Sequence, residues 1–94
     1  MVIYLVYKKD YADFKYKLDD AVYINSAFKS KRRAIKKAKE LLKDAKDRNL
    51  YVDEDITNKK NPFKNNNWVD LYEKEKQQEF RVSSIIIEDI KLVA

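Results

Sequence analysis

The sequence predicts an α+β fold: a single domain with a four- to five-stranded, mostly antiparallel sheet and one amphipathic helix, about residues 30–49, packed on one face. Three observations predict it. Ala34, Ile35, Ala38, Leu41, Leu42 and Ala45 recur at helical spacing and, at about 100° per residue, form one apolar stripe about 120° wide. Most other apolar stretches alternate at period two or are rich in β-branched and aromatic residues, as strands are. The chain has 94 residues, enough for one core, so residues 1–94 are read as a single domain.

Val2 to Tyr7 is almost wholly apolar, which predicts a central strand buried on both faces. Phe14-Lys15-Tyr16-Lys17-Leu18 alternates apolar with basic and predicts a half-exposed strand. Ala21-Val22-Tyr23-Ile24 predicts another, leading through Asn25-Ser26-Ala27-Phe28 into the helix, with Phe28 closing that end of the core. Ser30 suits the N-cap, where its side chain accepts a hydrogen bond from a first-turn N–H, and Asn49 suits the left-handed position after the last turn. Beyond the helix, Leu50 to Ile56 reads as a short edge strand whose acidic end discourages foreign pairing. Residues 57–67 lack periodicity and carry the one proline, so they read as a basic surface loop. Residues 68–76 alternate as a strand does, although their Glu, Lys and Gln content also suits a helix to about Glu79; the alternation favours the strand. Phe80 to Ile87 is β-branched-rich and forms the last strand, extended by Ile90, Leu92 and Val93 past Glu88-Asp89.

Composition excludes several function classes. The chain has no Cys and no His, which removes disulfides, thiolate metal sites and the commonest metal ligand and general base. It has no Gly, which excludes glycine-rich phosphate loops. No cofactor is therefore expected. No apolar run approaches the roughly 20 residues that cross a bilayer, and no basic n-region precedes Val2, so no membrane partner and a cytoplasmic location are expected.

With a net charge of +5, the chain offers three candidate binding features. Arg32, Lys36, Lys39, Lys43 and Lys46 fall within about 80° on one helix flank, about 21 Å long, with Arg33 nearby. Such a stripe could follow nucleic-acid phosphates, or it could be the ordinary solvated side of a helix, balanced in part by Lys43–Asp47 and Asp44–Arg48 pairs. The 57–67 loop adds Lys59, Lys60 and Lys64. The third feature is aromatic. One helix covers one face of such a sheet, and among 7 Tyr, 4 Phe and 1 Trp, Tyr11 and Trp68 are singled out as rings available to stack on bases or a protein partner. Asp89-Ile90-Lys91, with Asp70 nearby, weakly matches the carboxylate-x-lysine arrangement of metal-dependent nucleases, but such patterns arise by chance in a chain with 39% charged residues. No enzyme is expected.

Ile3-Tyr4-Leu5-Val6-Tyr7, Val22-Tyr23, Ala27-Phe28, Ser30-Lys31-Arg32-Arg33-Ala34 and Ile86-Ile87-Glu88-Asp89-Ile90 together resemble small accessory proteins of phages and mobile elements from low-GC Gram-positive bacteria. The resemblance covers the framework strands and helix. It implies a stand-alone accessory protein, in a class that includes anti-CRISPR inhibitors of host defence. The expected function is therefore a non-enzymatic binding module acting on a host protein or nucleoprotein complex. The alternative is a DNA- or RNA-binding protein using the helix stripe and the basic loop. The uncovered sheet face would also be the route to a homodimer.

Overall fold

The computed structural model describes residues 1–11, 21–52, 61–63, 67–75 and 78–92. They form β1 (Val2–Asp10), β2 (Ala21–Phe28), α1 (Lys31–Asp47), β3 (Tyr51–Val52), β4 (Trp68–Glu75) and β5 (Gln78–Lys91). The five strands make one sheet in the order β2-β1-β5-β4-β3, and every pairing is antiparallel. The expected α+β fold is therefore present, and residues 68–75 are strand. The expected strand over 14–18 and residues 53–56 of the expected edge strand lie outside the described residues.

The helix forms where its apolar period and caps place it. Ser30 is the N-cap and its hydroxyl accepts from the Arg33 N–H at 3.4 Å. At the other end, Asn49 takes φ 66°, the left-handed geometry that glycine usually supplies. The Asn49 N–H donates to the Lys46 carbonyl at 3.0 Å and the Leu50 N–H to the Ala45 carbonyl at 3.1 Å, which closes the helix with the two bonds of a Schellman motif. Leu50 then packs against the core that holds Ala45.

Ala34, Ala38, Leu42 and Ala45 are buried, with Ile35 and Leu41 half-buried beside them. They meet Val6 of β1, Ile85 and Ile87 of β5, and Val69 and Leu71 of β4 in a single buried cluster. Two expectations need correction. β1 is an interior strand, between β2 and β5, but the middle of the sheet is β5, which pairs with β1 on one side and β4 on the other. In β1 only Val6 is fully buried, since the helix covers one face of the sheet. Nor is the 57–67 stretch wholly a surface loop: Pro62 and Phe63 are buried, and Phe63, 2% exposed, belongs to the core cluster. Its N–H donates to the Asn61 side-chain oxygen at 3.2 Å, which fixes the local turn.

Because the helix presents mostly alanine to the sheet, Phe63 supplies much of the volume that fills the core. Phe63→Ala should cost about 3–5 kcal/mol and Leu42→Ala about 2–5 kcal/mol, with Leu41→Ala below Leu42→Ala because Leu41 is only half-buried. Denaturant midpoints of the three variants check this; equal midpoints for Phe63→Ala and the native protein would mean that Phe63 is not a core residue.

Candidate functional site: the uncovered sheet face

Strand alternation decides which side chains look away from the helix. Val6 and its cross-strand partner Ile87 are core, so their neighbours Tyr7 and Ile86 face the other way. In register with Ile86 stands Trp68, and in register with Ser84 stand Lys9 on one side and Asp70 on the other. Tyr51 and Tyr72 continue the same face to the far edge, with ring centroids 6.1 Å apart. The ladder reaches one residue past β1, where the Tyr11 N–H donates to the Val82 carbonyl at 3.0 Å. This sets the Tyr11 ring over β5.

A hydrogen-bonded chain fixes that ring. Ser84 donates its one hydroxyl hydrogen to Asp70 Oδ1, so its oxygen accepts from the Tyr11 hydroxyl, 2.8 Å away. The direction is therefore Tyr11 to Ser84 to Asp70. The Arg81 guanidinium carbon lies 4.1 Å from the Tyr11 ring centroid and Lys9 Nζ lies 5.3 Å from it, both within cation–π range. Arg81 reaches this face because of a register shift at Leu71/Tyr72: Leu71 pairs with Ser83 and Tyr72 with Arg81, so β5 carries one extra residue, Val82. Ser84 is 1% exposed and its hydroxyl is engaged as donor and acceptor, so the arrangement positions Tyr11 rather than presenting a nucleophile. The same face carries the exposed Arg81 and a Trp68 that is 57% exposed.

Tyr7 lies on the same face. Burial, first, and then the charge of Glu88 and a hydrogen bond to it, push its phenol above the ordinary value.

The residues expected to bind divide between two sides of the molecule. Arg32, Arg33, Lys36, Lys39, Lys43 and Lys46 are all exposed on the helix layer, whereas Tyr11 and Trp68 lie on the opposite face of the sheet. They do not form one site. Lys59, Lys60 and Lys64 lie outside the described residues. Among the described residues the ion pair on the helix is Lys37–Glu40 at 3.7 Å, in place of the expected Lys43–Asp47 and Asp44–Arg48 pairs; this leaves the cationic flank uncompensated by them. Asp70 and Asp89 do not meet. Asp89 pairs with Tyr4 on the helix side, while Asp70 pairs with Ser84 on the other. No group of three or more metal-binding side chains occurs among the described residues, and none of their helices is long and apolar enough to cross a membrane. Sequence reasoning missed Lys9, Arg81 and Ser84; two serines inside an otherwise isoleucine-rich strand were the available signal.

In comparisons with family models, curated proteins and solved structures, the chain matches none of them. The face must be judged on its own geometry.

The raised Tyr7 pKa gives a prediction with a definite sign. The folded protein keeps the phenolic proton to higher pH than the unfolded chain, which releases it near its ordinary value of about 10. This contribution to stability is complete below that pH and is lost as pH rises through the folded value. Tyr7→Phe should therefore flatten the fall of stability above about pH 10 and leave the pH dependence near neutrality unchanged. Parallel stability curves for the two proteins through the alkaline range would contradict it.

Proposed function

We propose that the protein is a binding module that docks on a host protein or nucleoprotein complex through the uncovered face of its sheet. The observation that carries this reading is Trp68, 57% exposed on a paired strand of the same sheet face as the fixed Tyr11–Arg81 stack. Trp, Tyr and Arg are the residues most enriched where protein interfaces gain their affinity, and truncating such an anchor commonly costs about 2 kcal/mol or more of binding. A ring already held by Ser84 loses little conformational freedom when a partner covers it. The resemblance to phage and mobile-element accessory proteins supports a partner from the host, with inhibition of a defence complex as one outcome of docking.

The test is capture of partners from a lysate of a low-GC Gram-positive host, with and without nuclease. Trp68→Ala and Arg81→Ala should each abolish capture of the native protein's partner while the protein stays folded, with Arg81→Ala costing about 0.5–1 kcal/mol for its lost contact to the Tyr11 ring. Undiminished capture by both variants would refute the assignment of this face.

A second reading rests on a separate observation, the exposure of Arg32, Arg33, Lys36, Lys39, Lys43 and Lys46 on α1. On this reading the helix flank binds nucleic-acid phosphates. Replacing Arg32, Lys36, Lys39 or Lys43 with Gln should each weaken binding to unrelated sequences alike and reduce the slope of log affinity against log salt by about one unit on duplex DNA. Lys37→Gln is the control, because Lys37 is ion-paired to Glu40 and sits off the flank. Absence of DNA or RNA binding at low salt would dismiss this reading and leave the sheet face untouched.

A further inference from the structure

We propose that two copies of the chain associate through β2, edge to edge and antiparallel, joining their sheets into one. Among the described residues β2 is the terminal strand of the sheet and is eight residues long, whereas β3 at the other edge has two. Edge strands are normally shielded by charge, by proline or by shortness. β2, Ala-Val-Tyr-Ile-Asn-Ser-Ala-Phe, has neither charge nor proline, and Val22, Tyr23 and Ile24 are 55%, 57% and 69% exposed. In a chain with a net charge of +5 and 39% charged residues, this is the segment on which two copies can approach with least repulsion.

The face pattern of β2 selects a second copy as the occupant. Through its register with β1, β2 places Ala21, Tyr23, Ser26 and Phe28 on the helix side and Val22, Ile24 and Ala27 on the other, with Asn25 as the extra residue of a bulge. Read from either end, the order of sides is the same. An unbulged strand of eight residues paired antiparallel with itself over its full length would set each inward side chain against an outward one. Here the mid-strand bulge restores the match. Ala21 then faces Phe28 of the other copy, Val22 faces Ala27 and Tyr23 faces Ser26, each pair on one side of the joined sheet. A bulge can protect an edge by breaking the match with a foreign strand; in this position it makes the edge complementary to itself. The resulting contact is isologous and closes at two copies.

The experiment has two arms, both on the full chain. Sedimentation equilibrium from micromolar to millimolar concentration should show the mass rising from 11.3 kDa towards twice that value. The double variant Val22→Lys/Ile24→Lys should remain monomeric throughout with an unchanged circular dichroism spectrum, since both side chains are exposed. The second arm uses the absence of native cysteine. Val22→Cys and Ala27→Cys proteins, refolded together and oxidised, should give a heterologous disulfide dimer, because residues directly opposite each other in an antiparallel pair are close enough to be bridged. Neither protein alone should do so, as like positions lie four paired residues, about 13 Å, apart along the strands. A native protein that is monomeric at all concentrations, or cross-linking as efficient in the single proteins as in the mixture, would overturn the proposal. So would a dimer that Trp68→Ala abolishes and Val22→Lys/Ile24→Lys leaves intact, because the copies would then meet through the sheet face. None of these outcomes bears on whether that face binds a host partner.

Discussion

The close seating of an alanine-rich helix on one face of the sheet is the constraint from which the other features follow. Three of the four buried positions of α1 are Ala34, Ala38 and Ala45. Alanine loses no side-chain rotamer freedom on burial, but it also removes little apolar surface from water. The helix therefore brings its backbone close to β1 and β5 and leaves volume unfilled. Phe63, in a turn with Pro62, belongs to the same buried cluster as Val69, Leu71 and Leu42 and fills that need. Among the described residues no second layer covers the other face of the sheet, which relies on cross-strand contacts of its own. The Asp70–Ser84–Tyr11 chain and the Arg81 and Lys9 contacts to Tyr11 provide them.

How much of this was legible in the sequence depends on the range of the interactions. The helix was readable to within a residue or two because its period, its Ser30 cap and its Asn49 terminus are local, and the left-handed position falls to Asn in a chain without glycine. The strand nature of residues 68–75 was readable by a narrow margin, since their composition also suits a helix. The centrality of β5 was not readable. An apolar run in β1 and a β-branched run in β5 both qualify as interior strands and both are flanked on two sides, so which of them takes the middle of the sheet is decided by pairing. The burial of Phe63 was hidden for a related reason: one aromatic in an aperiodic, basic segment carries no period that points to a core. The Tyr11–Ser84 contact joins residues 73 apart in sequence, and the bulge that turns Arg81 towards it shifts the strand period at the place where reading by alternation would put that side chain on the other face.

The separation of the expected binding residues into two surfaces has an electrostatic consequence. The helix alone is about 10 Å across, and the screening length at physiological salt is about 8 Å. Charges on the outer flank of α1 therefore act weakly on anything seated on the far side of the sheet. On the readings proposed above the two surfaces are independent: the flank would attract an acidic partner at a distance, whereas the sheet face would bind through contact. A partner on the sheet face meets its cations locally, from Arg81 and Lys9, and these are already engaged with the Tyr11 ring.

That engagement bears on what kind of surface this is. A guanidinium lying on a ring is weakly hydrated and keeps its N–H groups available at the edge, so Arg81 can accept a carboxylate or carbonyl from a partner without leaving Tyr11. The ring is fixed by its backbone bond to Val82 and by its hydroxyl to Ser84. Flexible side chains must be ordered when a partner binds, at about 0.5–1.5 kcal/mol each for rotamer-rich residues; for Tyr11 the ordering occurs on folding instead. The buried serine at the centre of the sheet thus connects the two levels of the molecule, since the hydrogen bonds that satisfy its hydroxyl are the same ones that hold the Tyr11 ring in place.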